Sequence, residues 1–103
     1  AWQEETRADK LYGKVATPRW FMQSNAAQLE VLGRGAELTV PLYMVTGGDD
    51  PLASTPAAKA FFDSVGSADK TYDERAGMRH EVLCEVGKEA LWGDISRWIS
   101  AHR

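Results

Sequence analysis

The chain has 103 residues, 44% of them hydrophobic and 26% charged, with a formal net charge of −3. That suits one domain with one modest core, and it excludes a disordered or fibrous chain. An acidic balance without a basic cluster leaves no electrostatic footprint for nucleic acid, and no apolar run approaches the ~20 residues of a membrane span. The single Cys84 cannot close an intrachain disulfide. Nothing therefore points to an oxidising compartment, and a soluble, cytoplasmic setting is the expectation. The sequence begins with Ala1 and shows no signal-peptide pattern. That start suggests a processed, cleaved or excised product, or simple loss of an initiator methionine.

Residues 1–14 are polar and weakly patterned, and read as loop or frayed helix. Thr17-Pro18 then reads as a helix start: a capping hydroxyl, and a proline where its missing N–H is harmless. Trp20, Phe21, Ala27, Val31 and Leu32 roughly follow helical spacing, and Gly33 or Gly35 can end that helix. Ala36 to Leu38 is a connector. Thr39 to Val45 is a continuous apolar run of strand length, which implies burial on both faces, as in a parallel sheet covered by helices. Pro41 is tolerated near its start, and Gly47-Gly48 ends it with a turn.

A well-punctuated helix follows. Ser54 or Thr55 caps it and Pro56 opens it. Ala58, Phe61, Phe62 and Val65 form its apolar stripe, and Gly66 closes it. Lys70 to Arg75 is a weak strand, with Thr71 and Tyr72 as its β-favouring residues. Ala76 to His80 is a loop. A last helix runs from about Val86 to Ala101, with Leu91, Ile95, Trp98 and His102 at helical spacing. The order from residue 39 is strand, helix, strand, helix, which predicts an α/β architecture with parallel strands. Two strands alone leave an apolar strand with open edges and faces, so the chain reads as part of something larger.

Two places carry chemistry. The stretch Val40–Pro51 is a strand that delivers Asp49 and Asp50 to the carboxyl edge of a sheet. Gly77-Met78-Arg79-His80 holds the only histidine outside the extreme C-terminus. An aspartate beside a histidine is an acid–base pair. The rival readings are a turn carboxylate, for either aspartate, and a solvated loop histidine. Cys84 could pair with His80 as a nucleophile, but a small buried core residue is the preferred reading. Glu85 reads as a helix-starting carboxylate rather than a second acid. His102 reads as a helix-terminal surface residue, where a cation suits the dipole. Trp20, Phe21 and Met22 could line an acyl pocket or touch a lipid interface, but ordinary packing of a helix stripe is preferred. Gly47-Gly48 lacks the ending of a phosphate loop, and no spacing suggests a metal site.

In order and spacing, these residues resemble α/β-hydrolases, in particular the C-terminal portion of the monoacylglycerol lipase and lysophospholipase branch. Val40 to Asp50 resembles the strand leading to the catalytic acid, which there follows a glycine by three positions. Gly47 plus three selects Asp50. Ala58 to Phe62 resembles the helix after the acid. Asp69-Lys70-Thr71 and Gly77 to His80 resemble the last strand and the histidine loop. Glu85 and the Trp98-Ile99 helix end also match. Asp9 to Leu38 is similar to the exit of a cap domain, which implies a helical cap remainder over residues 1–37 and core over 38–103.

The resemblance implies a Ser-Asp-His triad, with Asp50 orienting His80 and His80 acting as base and then acid. The family's order is serine, acid, histidine. None of Ser24, Ser54, Ser64, Ser67, Ser96 and Ser100 lies in a Gly-x-Ser-x-Gly segment. The nucleophile and oxyanion hole are thus expected on the N-terminal half of the same enzyme, without which the chain is inactive. The implied substrate is a small acyl ester or lipid, with no cofactor. The alternative is a non-catalytic binding or interaction module built on a hydrolase scaffold.

Overall fold

The computed structural model describes every residue except Ala1 and Lys14, and the side chain of Trp2. These two residues, the ends of the segment read as loop or frayed helix, lie outside the described residues. Two compact units are present, Ala1–Gly33 and Arg34–Arg103.

The first unit is helical. Helix α1 spans Trp2–Ala8, with Glu4 and Glu5 in its first turn and Arg7 in its last, the charge order that suits a helix dipole. Helix α2 spans Pro18–Gly33, starting at the expected proline. Thr17 Oγ1 accepts from the Trp20 N–H at 3.1 Å, satisfying one free donor of the first turn. No α2 side chain is buried, and Trp20, Phe21 and Met22 are 60–70% exposed. The packing role preferred for them is not made in this chain.

The second unit is the α/β part. Strand β1 (Leu42–Gly47) pairs in parallel with β2 (Lys70–Arg75), in register from Leu42 opposite Lys70 to Gly47 opposite Arg75. Helix α3 (Thr55–Ser64) connects them, and α4 (Lys88–Ala101) follows. β2 has the expected limits. β1 begins three residues later than expected and runs two further. Its ladder opens where Leu42 N–H donates to the Asp69 carbonyl at 3.0 Å, past Pro41, which has no donor. Its far end is set by its partner, because β2 stays paired as far as Arg75.

Helices cover both faces of this sheet. On one face Phe62 of α3 packs on Tyr72, with ring centroids 5.2 Å apart, and Thr46 Oγ1 lies 2.9 Å from the Tyr72 hydroxyl. On the other, Trp98 of α4 packs on Tyr43 at 5.8 Å. The expected double burial of β1 is only partly met: Leu42 to Thr46 are half-buried, and only Gly47 is buried. Among the described residues β1 has one neighbour, so its second edge is unpaired. The hydrophobic core is correspondingly small: Phe62, Val65, Met78 and Leu91.

A charged network fills part of the α4 face. Arg75 donates to Asp73 at 2.6 Å and also to Asp94 of α4, while the Tyr43 hydroxyl donates to Asp73 and Arg97 to Asp94. Burial pushes the Asp73 carboxyl up, but its bonds from Arg75 and Tyr43 outweigh that and hold it below the usual range. Burial, and then the bond to Asp73, raises the Tyr43 phenol.

Ser54 is the N-cap of α3, accepting from the Ala57 N–H at 3.2 Å. The helix stops at Val65, in extended conformation, and not through a left-handed Gly66. Gly66 is needed for another reason: a Cβ there would lie 2.2 Å from the Ala36 carbonyl oxygen. The orphan carbonyls of α3 go to Lys70, whose ammonium donates to Phe62, Val65 and Asp63 at 2.9, 2.7 and 3.2 Å. Cys84 is exposed, contrary to the core role preferred for it, because it sits in a single 3-10 turn, Val82–Cys84, that buries none of its residues. α4 starts two residues later than expected, at Lys88, behind Gly87 in left-handed conformation.

Candidate functional site

The site lies where β1 and β2 both end. β1 stops at Gly47, and Gly48 N–H donates to the Arg75 carbonyl at 2.8 Å, so the chain leaving β1 crosses the end of β2. The chain leaving β2 turns at Ala76-Gly77, with Gly77 at φ +78°. Met78 N–H then donates back to Arg75 at 3.2 Å, and the Met78 carbonyl accepts from Asp49 N–H at 3.0 Å. The two loops are thereby sewn together. Met78 anchors the second loop by burying its side chain, while Arg79 and His80 stay exposed.

Gly47 sets the spacing between these loops. A Cβ there would lie 2.2 Å from the Arg79 carbonyl oxygen and 2.6 Å from that of Met78. No real Cβ makes such contacts, so the histidine loop can lie this close to β1 only over a glycine. Thr55 adds a tie from the other direction: its Oγ1 donates to the Gly47 carbonyl at 2.9 Å and holds the start of α3 against the strand end.

Asp50 and His80 meet here. His80 Nδ1 lies 2.9 Å from Asp50 Oδ2. The other carboxylate oxygen is already engaged: Oδ1 accepts the N–H of Leu52 at 2.8 Å and of Ala53 at 3.0 Å. These bonds fix the carboxylate's rotamer and leave Oδ2 for the ring. The His80 bond, together with these backbone donors, holds the Asp50 carboxyl down at about 2. In return the Asp50 bond and charge raise His80 above its ordinary 6.5. The Asp50 side chain is 10% exposed and that of His80 is 46% exposed. A covered carboxylate thus holds a ring that still faces outward.

With Nδ1–H donated to a carboxylate, the imidazole is fixed in the tautomer whose Nε2 carries a lone pair. Such a ring can accept a proton from a neighbouring hydroxyl and return it later. Asp49 is exposed and makes no side-chain bond of this kind; its backbone serves the loop junction. Among the described residues no cluster of three or more metal-ligating side chains exists.

Similarity to known proteins gives the family. A family model described as serine aminopeptidase, S33, matches residues 1–87. The chain belongs to that family of α/β-hydrolases. Phospholipase YtpA of Bacillus subtilis is 30% identical over 90 residues, 86% of this chain but 35% of that protein. The monoacylglycerol lipase of Mycolicibacterium smegmatis is 33% identical over 69 residues, 67% of this chain and 25% of that protein. In structure, the chain is similar to a Paleococcus ferrophilus monoacylglycerol lipase with a TM-score of 0.89, at 18% identity, covering 97% of this chain and 39% of that one. This S33-family chain therefore spans roughly a quarter to two-fifths of the relatives it matches.

The two site residues singled out in the sequence come together in this family member. Three contributors were not singled out: Thr55, Met78, and the paired N–H groups of Leu52 and Ala53. The Thr55 hydroxyl competes in sequence with Ser54 as a cap, and only the fold separates their roles. The apolar Met78 between Gly77 and Arg79 was a usable sign of a loop anchor.

Proposed function

We propose that this chain supplies the acid and the base of a Ser-Asp-His triad in a carboxylic ester hydrolase, with the attacking serine and the oxyanion hole on another stretch of polypeptide. The observation that carries the reading is the bond from His80 Nδ1 to Asp50 Oδ2, with Oδ1 held by two backbone donors. His80 Nε2 takes the serine proton during attack on the acyl carbon, then delivers it to the leaving alcohol. Asp50 holds the tautomer and stabilises the imidazolium that forms.

The substrate class we favour is an acyl ester of a lipid, such as a monoacylglycerol or a lysophospholipid. Its support is that relatives bear the names phospholipase and monoacylglycerol lipase. We further assign residues 1–37 to the remainder of a helical cap and 38–103 to the core. The nucleophile-bearing partner is the N-terminal half of the same enzyme. A small core and a half-exposed apolar strand favour this over a free-standing interaction module.

Labelling with a fluorophosphonate ester reagent tests the reading. The label is expected on a serine outside these 103 residues, in a Gly-x-Ser-x-Gly segment, and its rate should collapse in His80→Ala. A label on any serine of this chain, or labelling indifferent to His80, would overturn it.

A further inference from the structure

The second histidine is exposed at the end of α4, as expected, and both of its ring nitrogens are engaged. His102 lies one residue past α4. Its Nδ1 is 2.6 Å from the Trp98 carbonyl oxygen, and its Nε2 is 2.8 Å from Asp69 Oδ2. The ring lies nearly flat on the Trp98 indole, with centroids 3.9 Å apart and planes at 19°.

Both ring nitrogens therefore face oxygens that can only accept. A neutral imidazole has one N–H and one lone pair, so it satisfies one contact and sets a lone pair against oxygen in the other. The imidazolium donates at both. The surroundings favour that form: a carboxylate on one side, the carbonyl end of a helix on the other, and an aromatic face beneath.

The backbone of the far partner is well fixed, while its side chain is 57% exposed. Asp69 N–H donates to the buried Ser67 Oγ at 3.2 Å, Ser67 Oγ donates to the Asp69 carbonyl at 2.9 Å, and that carbonyl also opens the β1–β2 ladder by accepting from Leu42. We propose that His102 is a pH-operated clamp, closed as the imidazolium, that ties the end of α4 to the lead-in of β2.

Asp69 is the charged group facing the ring from the sheet. Its neighbour Lys70 is committed to the carbonyls of α3, and from α4 the ring meets the Trp98 carbonyl and indole. Arg103, next along the chain, is exposed. The Trp98 carbonyl first, and the Asp69 bond and charge after it, raise His102 above 6.5 against the opposing effect of burial. The sign follows. The clamp's contribution is full below 6.5 and is lost as pH rises through the raised folded value.

Imidazole 15N NMR on the full chain, with its nucleophile-bearing partner present if one is required for solubility, tests this independently of any catalytic role. There are two histidines, so His80→Gln assigns the signals. Both His102 nitrogens should carry protons at mildly acidic pH and titrate together with a midpoint above 6.5, and Asp69→Asn should lower that midpoint. Amides from Trp98 to Ala101 should lose protection several-fold, after correction for intrinsic exchange, as pH crosses the midpoint. In His102→Gln their protection should be low throughout. A ring titrating at or below 6.5, or protection that ignores the titration in the unmutated chain, overturns the clamp.

Discussion

At the scale of residues, the proposed chemistry rests on one carboxylate and one ring. Asp50 is held down at about 2 and His80 is raised above 6.5, each chiefly by the other. The pair's stabilising contribution is therefore present above 3.8 and lost as pH falls through about 2. It is complete below 6.5 and is lost as pH rises through the raised histidine value. The proposed mechanism needs the neutral ring, so kcat/KM should rise with pH along a limb whose midpoint lies above 6.5. Asp50→Asn should move that midpoint down and cut kcat by up to ~10⁴-fold, as loss of the orienting acid does in other triads. Asp49→Asn should do little to either. The Asp50–His80 pairing was legible through the resemblance to α/β-hydrolases, whose acid follows a glycine by three positions and precedes the histidine. The backbone donors behind Asp50 were not, since they depend on how residues 50–53 turn. The His102 contacts were equally hidden, because Asp69 is 33 positions away in the chain.

At the scale of elements, legibility followed local chemistry. α3 announces itself through Ser54 and Pro56, and its cap is where it was expected. Ser54→Ala should destabilise by about 1 kcal/mol, read as a lower denaturation midpoint at unchanged m-value. Lys70→Met should cost about 1–2 kcal/mol by the same measurement, because it leaves the last carbonyls of α3 without their cation. The limits of β1 were displaced because a parallel strand begins and ends where its partner allows, and that partner is far away in sequence. One glycine misled for a related reason: Gly66 looked like a helix stop and instead permits close approach of Ala36. Gly47 ends β1 as expected and also seats the histidine loop. Gly47→Ala should force that loop away, open the Asp50–His80 bond and lower kcat by about 100-fold, the scale of a misplacement near 1 Å. The His80 titration midpoint should fall toward 6.5 in the same variant.

At the scale of the whole molecule, the sequence's message was what it lacked. A continuous apolar strand and the lack of a Gly-x-Ser-x-Gly segment in these 103 residues support the proposal that the chain holds part of a site. Among the described residues the structure adds a core of four hydrophobic side chains and a half-exposed β1 with an unpaired edge. Leu91 is fully buried, and Leu91→Ala should cost about 2–5 kcal/mol. The charged network of Tyr43, Asp73, Arg75 and Asp94 escaped the sequence reading, although strand alternation places its β1 and β2 members on the α4 face. In the proposed mechanism His80 is the base for a serine on another stretch of polypeptide. Hydrolysis of a short nitrophenyl ester measures it most directly, comparing the chain alone, the chain joined by a Gly-x-Ser-x-Gly polypeptide of the same enzyme, and that assembly with His80→Ala. Activity is expected only in the second sample. Equal activity in the second and third would contradict it.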